Sequence, residues 1–163
     1  MNENIAKDIE KLHEMIANAS HAVFFGGAGM STESGIPDFR GSGGLYTSEG
    51  AGNEYYLSRA CLIGDSVPKC ERCGATIRPD VTLYGEALDG FTWREAENEI
   101  AEADLLIVGG SSLTVYPAAS LVGNFEGRHL VIINYSETAY DEKADLVIRG
   151  SVGEVLANLA SLE

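Results

Sequence analysis

Three sets of residues in this chain have types and spacings suited to chemistry. Gly26-Gly27-Ala28-Gly29-Met30-Ser31-Thr32 directly follows a short apolar run, and a glycine turn closing a strand lets backbone N–H groups approach a pyrophosphate. The dinucleotide fingerprint also asks for a third glycine, where Thr32 stands, and for a carboxylate roughly 20 residues further on. Neither is present, so the loop taken alone fits a phosphate cradle and a plain tight turn equally well. Cys70-Glu71-Arg72-Cys73 has the spacing of a metal or redox pair, and three cysteines, an odd number, do not make a disulfide framework. His13, His21 and His129 are the candidate general bases. His13 falls on the polar side of an amphipathic helix, and His13-Glu14 fails the zinc-protease pattern because position 17 is Ala. His21 and His129 precede strands, at the ends opposite to those where ligands bind in a wound sheet.

The elements that must hold these residues follow from hydrophobic periodicity. Ile5, Ile9, Leu12, Ile16 and Ala19 recur at helical spacing and predict a helix over 3–19. The runs at 22–26, 105–109, 130–134 and 146–148 are apolar and rich in β-formers, as strands of a buried parallel sheet are. Trp93, Ala96, Ile100 and Ala103 mark a helix before the second run, and Pro117 opens another ending near Asn124. Val152, Val155, Leu156 and Leu159 mark a closing helix. Strands alternating with helices predict an α/β fold, a Rossmann-like doubly wound parallel sheet of about four strands. Gly27 to Gly44 reads as loop with one helical turn, 53–63 as a short helix, and 67–80 as a Cys/Pro/Gly-punctuated loop.

At 163 residues the chain is the size of one domain, 1–163, with 53–80 as a small appendage within it. Hydrophobic residues make up 45% and charged residues 22%, which excludes disordered, collagen-like and coiled-coil classes. Eleven Lys+Arg against 25 Asp+Glu give a net charge of -14, which repels nucleic-acid backbones and anionic membrane surfaces alike. No apolar run approaches the ~18 residues of a membrane span. The first 16 residues lack the basic start and apolar stretch of a secretory signal, so the expected location is cytoplasmic.

Gly27 to Gly41, GAGMSTESGIPDFRG, resembles almost letter for letter the NAD-binding signature of the sirtuins, the NAD-dependent protein deacylases. Gly109 to Ala119 (GGSSLTVYPAA) is similar to the family's GTSLxVxPAA, and Val131 to Asn134 to its adenosine-ribose strand. Val67 to Leu88 resembles its cysteine and RPxVVxFGE segment. The resemblance implies NAD or ADP-ribose as the small-molecule partner. Gly27, Ala28, Gly29 and Thr32 would then lie along the pyrophosphate, and Asp38, Phe39 and Arg40 on the cofactor loop beside the nicotinamide ribose. Ser111 and Ser112 match a Thr-Ser pair at the end of a strand, Asn134 matches the residue that binds the adenosine ribose, and Val152 falls near the adenine. Arg40 suits phosphate as a delocalised, always-charged fork, and Phe39 can shield the reactive C1′ from water.

The same resemblance defines what this chain lacks. The family's TQNID strand, its LHxxAG segment with the general-base His, and its first zinc CxxC pair have no counterpart, and Asp65-Ser66 reads as an internal join. The implied strand order is the family's 1-4-5-6, which leaves the 22–26 strand on an open edge where a second copy could pair. Covering by Tyr55, Tyr56 and Leu62 would be an intramolecular alternative. Cys70 and Cys73 correspond to the second zinc pair, a vestige of the zinc-ribbon loop, and so to a half-site. A second chain completing that half-site and two free surface thiols both remain open readings. Three functional readings follow: an NAD/ADP-ribose binder with little or no deacylase activity, a non-functional deletion remnant acting at most through association, and an active compact deacylase acting on acylated protein.

Overall fold

The computed structural model describes residues 3–36, 69, 70, 72–76, 82 and 85–162. The expected helix at 53–63, the residues Tyr55, Tyr56 and Leu62, the join at 65–66, and Asp38, Phe39 and Arg40 lie outside them. The chain divides into two compact units, one of Met1–Gly35 with Gly90–Glu163 and one of Ile36–Asp89.

In the first unit, α1 (Glu3–Ala17) leads to β1 (Ala22–Gly26) and a six-residue helix, α2 (Ala28–Glu33). Then come α3 (Gly90–Glu102), β2 (Leu105–Gly109), a 3₁₀ helix (Ala118–Asn124), β3 (His129–Ile133), a 3₁₀ turn (Asp141–Lys143), β4 (Leu146–Ile148) and α4 (Val152–Ala160). All pairings are parallel and the order is β1-β2-β3-β4, with β1 at the margin. This is the wound sheet that the alternation of elements predicts.

Side-chain alternation divides the sheet between two cores. Leu105, Ile107, Val131, Ile133, Leu146 and Ile148 pack with Ile9, Leu12 and Met15 of α1 and Val152 and Val155 of α4. The intervening residues Leu106, Val108, Leu130 and Ile132 pack with Ile100 of α3 and with Ala119, Leu121 and Val122 of the 3₁₀ helix. All five residues of β2 are buried, as a central parallel strand requires. The margin strand differs. Ala22, Phe24 and Gly26 are exposed, and Phe24 keeps 41% of its surface.

Several boundaries depart from the sequence expectation, each for a local reason. The first helix stops at Ala17 rather than 19: Asn18 N still donates to the Glu14 carbonyl at 3.1 Å, as Nδ2 does at 2.7 Å, but Ala19 N turns to the Ile16 carbonyl at 3.1 Å, an i→i−3 bond that ends the α-helical ladder. Its stripe centres on Met15, which is buried, while Ile16 and Ala19 are half-buried. The helix expected from Pro117 is a 3₁₀ helix. Ser120 N and Ser120 Oγ both donate to the Pro117 carbonyl, at 2.9 and 2.7 Å, and tighten the first turn. The third strand runs 129–133, not 130–134, because the Asn134 side chain turns away to donate from Nδ2 to the Ser136 carbonyl at 2.9 Å.

Candidate functional site

The register brings the ends of the four strands level, with Gly26 opposite Gly109, Gly109 opposite Ile133, and Ile133 opposite Ile148. The ladder continues one residue beyond each strand. Gly27 N donates to Gly109 O at 2.8 Å, Gly110 N to Ile133 O at 2.9 Å, and Asn134 N to Ile148 O at 3.1 Å. Gly27 to Gly29, Gly110 to Ser112, and Asn134 therefore emerge side by side at the carboxyl end of the sheet, where ligands bind in folds of this kind.

Glycine is required here by close approach. A Cβ on Gly27 would sit 2.4 Å from Gly110 O, and one on Gly110 would sit 2.8 Å from Met30 N. Gly110 also holds φ at +62°, which costs a residue with a side chain. Gly29 N donates to Gly110 O at 2.8 Å, so the N–H groups of Gly27 and Gly29 are directed into the protein. The glycines pack α2 onto the loop after β2. Thr32 Oγ1 donates to Gly29 O at 2.7 Å and braces the same turn. The N-terminus of α2 has no side-chain cap and no acidic residue in its first turn.

The loop after β2 is fixed by its hydroxyls. Ser111 Oγ accepts from Leu113 N at 3.2 Å, holding Leu113 at φ +53° with its side chain buried, and Ser112 Oγ lies 2.8 Å from Thr114 Oγ1. Val152 stands at the amino end of α4. Its side chain is 2% exposed within the core, and its N–H donates to Glu33 Oε1 at 2.8 Å. Glu33 Oε2 also accepts from Gly153 N at 2.6 Å. Burial pushes the Glu33 carboxyl up, but the N–H of Gly153, the Ser151 side chain and the N–H of Val152 outweigh it and hold the group below its ordinary value. Glu33 is a residue that sequence reasoning missed. Its partners lie 119 and 120 positions away, beyond any spacing rule.

His21 and His129 lie at the amino ends of β1 and β3. His21 Nε2 is 2.9 Å from Glu99 Oε2, and His129 Nδ1 is buried, 3.9 Å from Asp145 Oδ2. That end is built from strand caps. Asp104 accepts from Ser20 N and His21 N at 2.8 and 3.0 Å, which hold its carboxyl below the ordinary value, and Asp145 Oδ2 accepts from Leu130 N at 2.9 Å. A shallow depression of about 260 Å³ also opens there, lined by Lys11, Glu14, Met15, Asn18, Arg128 and His129. It lies at the opposite end of the sheet from the glycine loop.

The second unit carries the cysteines. Cys70 and Cys73 are free thiols in a hairpin, and the N–H of Cys73, the N–H of Arg72 and the Cys73 side chain outweigh burial to hold the Cys70 thiol below its ordinary value. Among the described residues no three His, Cys, Asp or Glu side chains are grouped to hold a metal. A four-ligand zinc site does not close within these residues.

The model of the Sir2 family matches residues 27–62 and 55–117. An NAD-dependent protein deacetylase of Clostridium acetobutylicum is 34% identical over 235 positions, covering 91% of this chain and 96% of the relative. The chain belongs to the Sir2 family. A Cutibacterium acnes NAD-dependent protein deacetylase is likewise 34% identical, over 91% of this chain and 96% of its own length. Among solved structures, one described under the mechanism and regulation of Sir2 enzymes superposes with a TM-score of 0.73 at 28% identity, covering 95% of this chain and 97% of that one. A Sir2 homologue bound to ADP-ribose matches with TM-score 0.73 at 26% identity, over 93% and 95% of the two chains. A Sir2 complex with a p53 peptide and NAD+ matches with TM-score 0.73 at 25%, over 94% and 98%.

Proposed function

We propose that this Sir2-family chain binds NAD or ADP-ribose across the carboxyl ends of β1, β2 and β3 and turns it over weakly or not at all. The observation that carries binding is the convergence of Gly27–Gly29, Ser111–Ser112 and Asn134 at one end of the sheet, beside the amino end of α2, which no side chain caps. A pyrophosphate placed there meets positive helix-end charge with no competing carboxylate in that turn. Its counterpart, the amino end of α4, is already filled by Glu33 and Ser151.

Weak turnover is supported by the sequence. The family's general-base segment has no counterpart, and His21 and His129 sit at the wrong end of the sheet. A missing general base typically removes about 10²–10⁴ in rate. The alignment with the C. acetobutylicum relative runs over 235 positions, well beyond the 163 residues of this chain, which supports an internal deletion. The reading includes a cytoplasmic location, in keeping with its free thiols. It also includes self-association through the open edge of β1.

Calorimetric titration with ADP-ribose tests binding. One-to-one saturation is expected, weakened about tenfold or more by Arg40→Ala, which removes the guanidinium that the family resemblance assigns to the cofactor loop, and about fivefold by Asn134→Ala. Folded protein that gives no heat would refute the binding reading. The second reading, an active deacylase, is favoured by end-to-end alignment with NAD-dependent deacetylases. Nicotinamide release that depends on acetylated peptide would establish it and displace the first.

A further inference from the structure

A hydrogen-bond network ties the loop after β3 to the residue that follows β4. Asn134 N donates to Ile148 O at 3.1 Å, and the next residue, Arg149, reaches back to the same loop. Its Nη1 donates to the Ser136 carbonyl at 2.9 Å and its Nη2 to Asp141 Oδ2. Asp141 accepts in turn from Thr138 N at 3.1 Å and from Thr138 Oγ1 at 2.7 Å, so the guanidinium fork closes 136–141 into one unit. Burial raises the Asp141 carboxyl, but the Thr138 hydroxyl, the Arg149 guanidinium and the Thr138 N–H outweigh it and hold the group below its ordinary value, ionised opposite Arg149.

The Ser136 carbonyl that Arg149 holds is also the partner of Asn134 Nδ2, at 2.9 Å. A carbonyl only accepts, so the Asn134 amide must present its NH2 group there and carry Oδ1 on the other branch of its plane. Oδ1 accepts no hydrogen bond among the described residues, and an amide oxygen left over at the carboxyl end of β3 suits a hydroxyl donor. We infer that Arg149 is a positioning residue for the nucleotide: through the Ser136 carbonyl it fixes the Asn134 amide so that Oδ1 accepts from a ribose hydroxyl of the adenosine half. Without the guanidinium, Ser136 O loses one of its two donors and the loop loses its tie at Asp141. The amide is then free to rotate, and the part of the affinity that depends on the ribose hydroxyl falls with the cost of ordering it again. The inference rests on the proposal that ADP-ribose binds at this end of the sheet.

The test titrates the full chain calorimetrically with ADP-ribose and with its analogue lacking the 2′ and 3′ hydroxyls of the adenosine. The parent should bind ADP-ribose about fivefold more tightly than the analogue, the worth of one neutral hydrogen bond. Arg149→Ala should weaken ADP-ribose about threefold to fivefold and leave the analogue unchanged within about 1.5-fold. Adding Arg149→Ala to Asn134→Ala should cost nothing further, because the amide that Arg149 positions is gone. Asp141→Asn, which keeps the shape and removes the charge that seats the guanidinium, should show a smaller loss with the same dependence on the hydroxyls. A direct contact of Arg149 with the pyrophosphate, or a general loosening of the fold, would weaken both ligands alike. That result, or additive losses in the double variant, would overturn the inference. A parent that binds both ligands equally would overturn it and leave nucleotide binding standing, whereas a folded parent that binds neither would overturn both.

Discussion

The carboxylate of Glu33 accepts from Val152 N at 2.8 Å and Gly153 N at 2.6 Å, and so joins the helix after the glycine loop to the amino end of α4. Because its pKa lies below the ordinary 4.5, the tie contributes stability fully above that value and loses it as pH falls through the lowered one. Glu33 is exposed, which limits the effect. Glu33→Gln should therefore cost under about 1 kcal/mol at pH 7, the scale of an exposed helix cap, and less near pH 3. Denaturant titrations at the two pH values check this, and an equal loss at both would show that charge is not the cause. A contrasting residue is Leu12, fully buried against the sheet, where Leu12→Ala should cost about 2–5 kcal/mol at any pH. Leu12 was legible in the sequence because it belongs to a periodic stripe. Glu33 was not, because a cap supplied from another element leaves no local spacing to read.

At the scale of elements, the four strands were legible because central parallel strands are continuous apolar runs, and nothing else in this chain concentrates Val, Ile and Leu so densely. The bounds of three of them were legible as well, and only the third is shifted by one residue, to 129–133, where the Asn134 side chain turns to the Ser136 carbonyl. The packing of α2 on the loop after β2 was hidden. Sequence places Gly27, Gly29 and Gly110 in turns, but only the structure shows that they abut one another and that the N–H groups of Gly27 and Gly29 point inward. Gly110→Ala therefore meets two penalties, a left-handed backbone and a Cβ 2.8 Å from Met30 N. The expected loss is about 1–3 kcal/mol, at roughly 2–4 °C in Tm for each kcal/mol in a chain of this size. It should also weaken ADP-ribose, because relief of the clash moves α2 away from Ser111. A normal Tm with unchanged affinity would mean that this contact positions nothing.

For the whole molecule, the sheet margin and the net charge oppose one another. No helix of the described residues is long and apolar enough to cross a membrane. The carbonyl of His21 and the N–H of Gly27 are directed to β2, and strand alternation then turns the N–H and C=O groups of Ala22, Phe24 and Gly26 outward. An outward row of this kind, with Phe24 41% exposed, is a template for another strand. Against it stands a charge of -14 on every copy, so pairing at the edge should be weak at low salt and stronger once the Debye length falls to ~8 Å at 0.15 M. Phe24→Lys blunts the edge with a charge and keeps an alkyl stem over Gly109, against which the Phe24 ring packs. At 0.15 M salt the parent chain should sediment with a dimer fraction that grows with concentration, and Phe24→Lys should remain monomeric. Equal association of the two, or a parent that stays monomeric throughout, would show that the edge of β1 is not an interface.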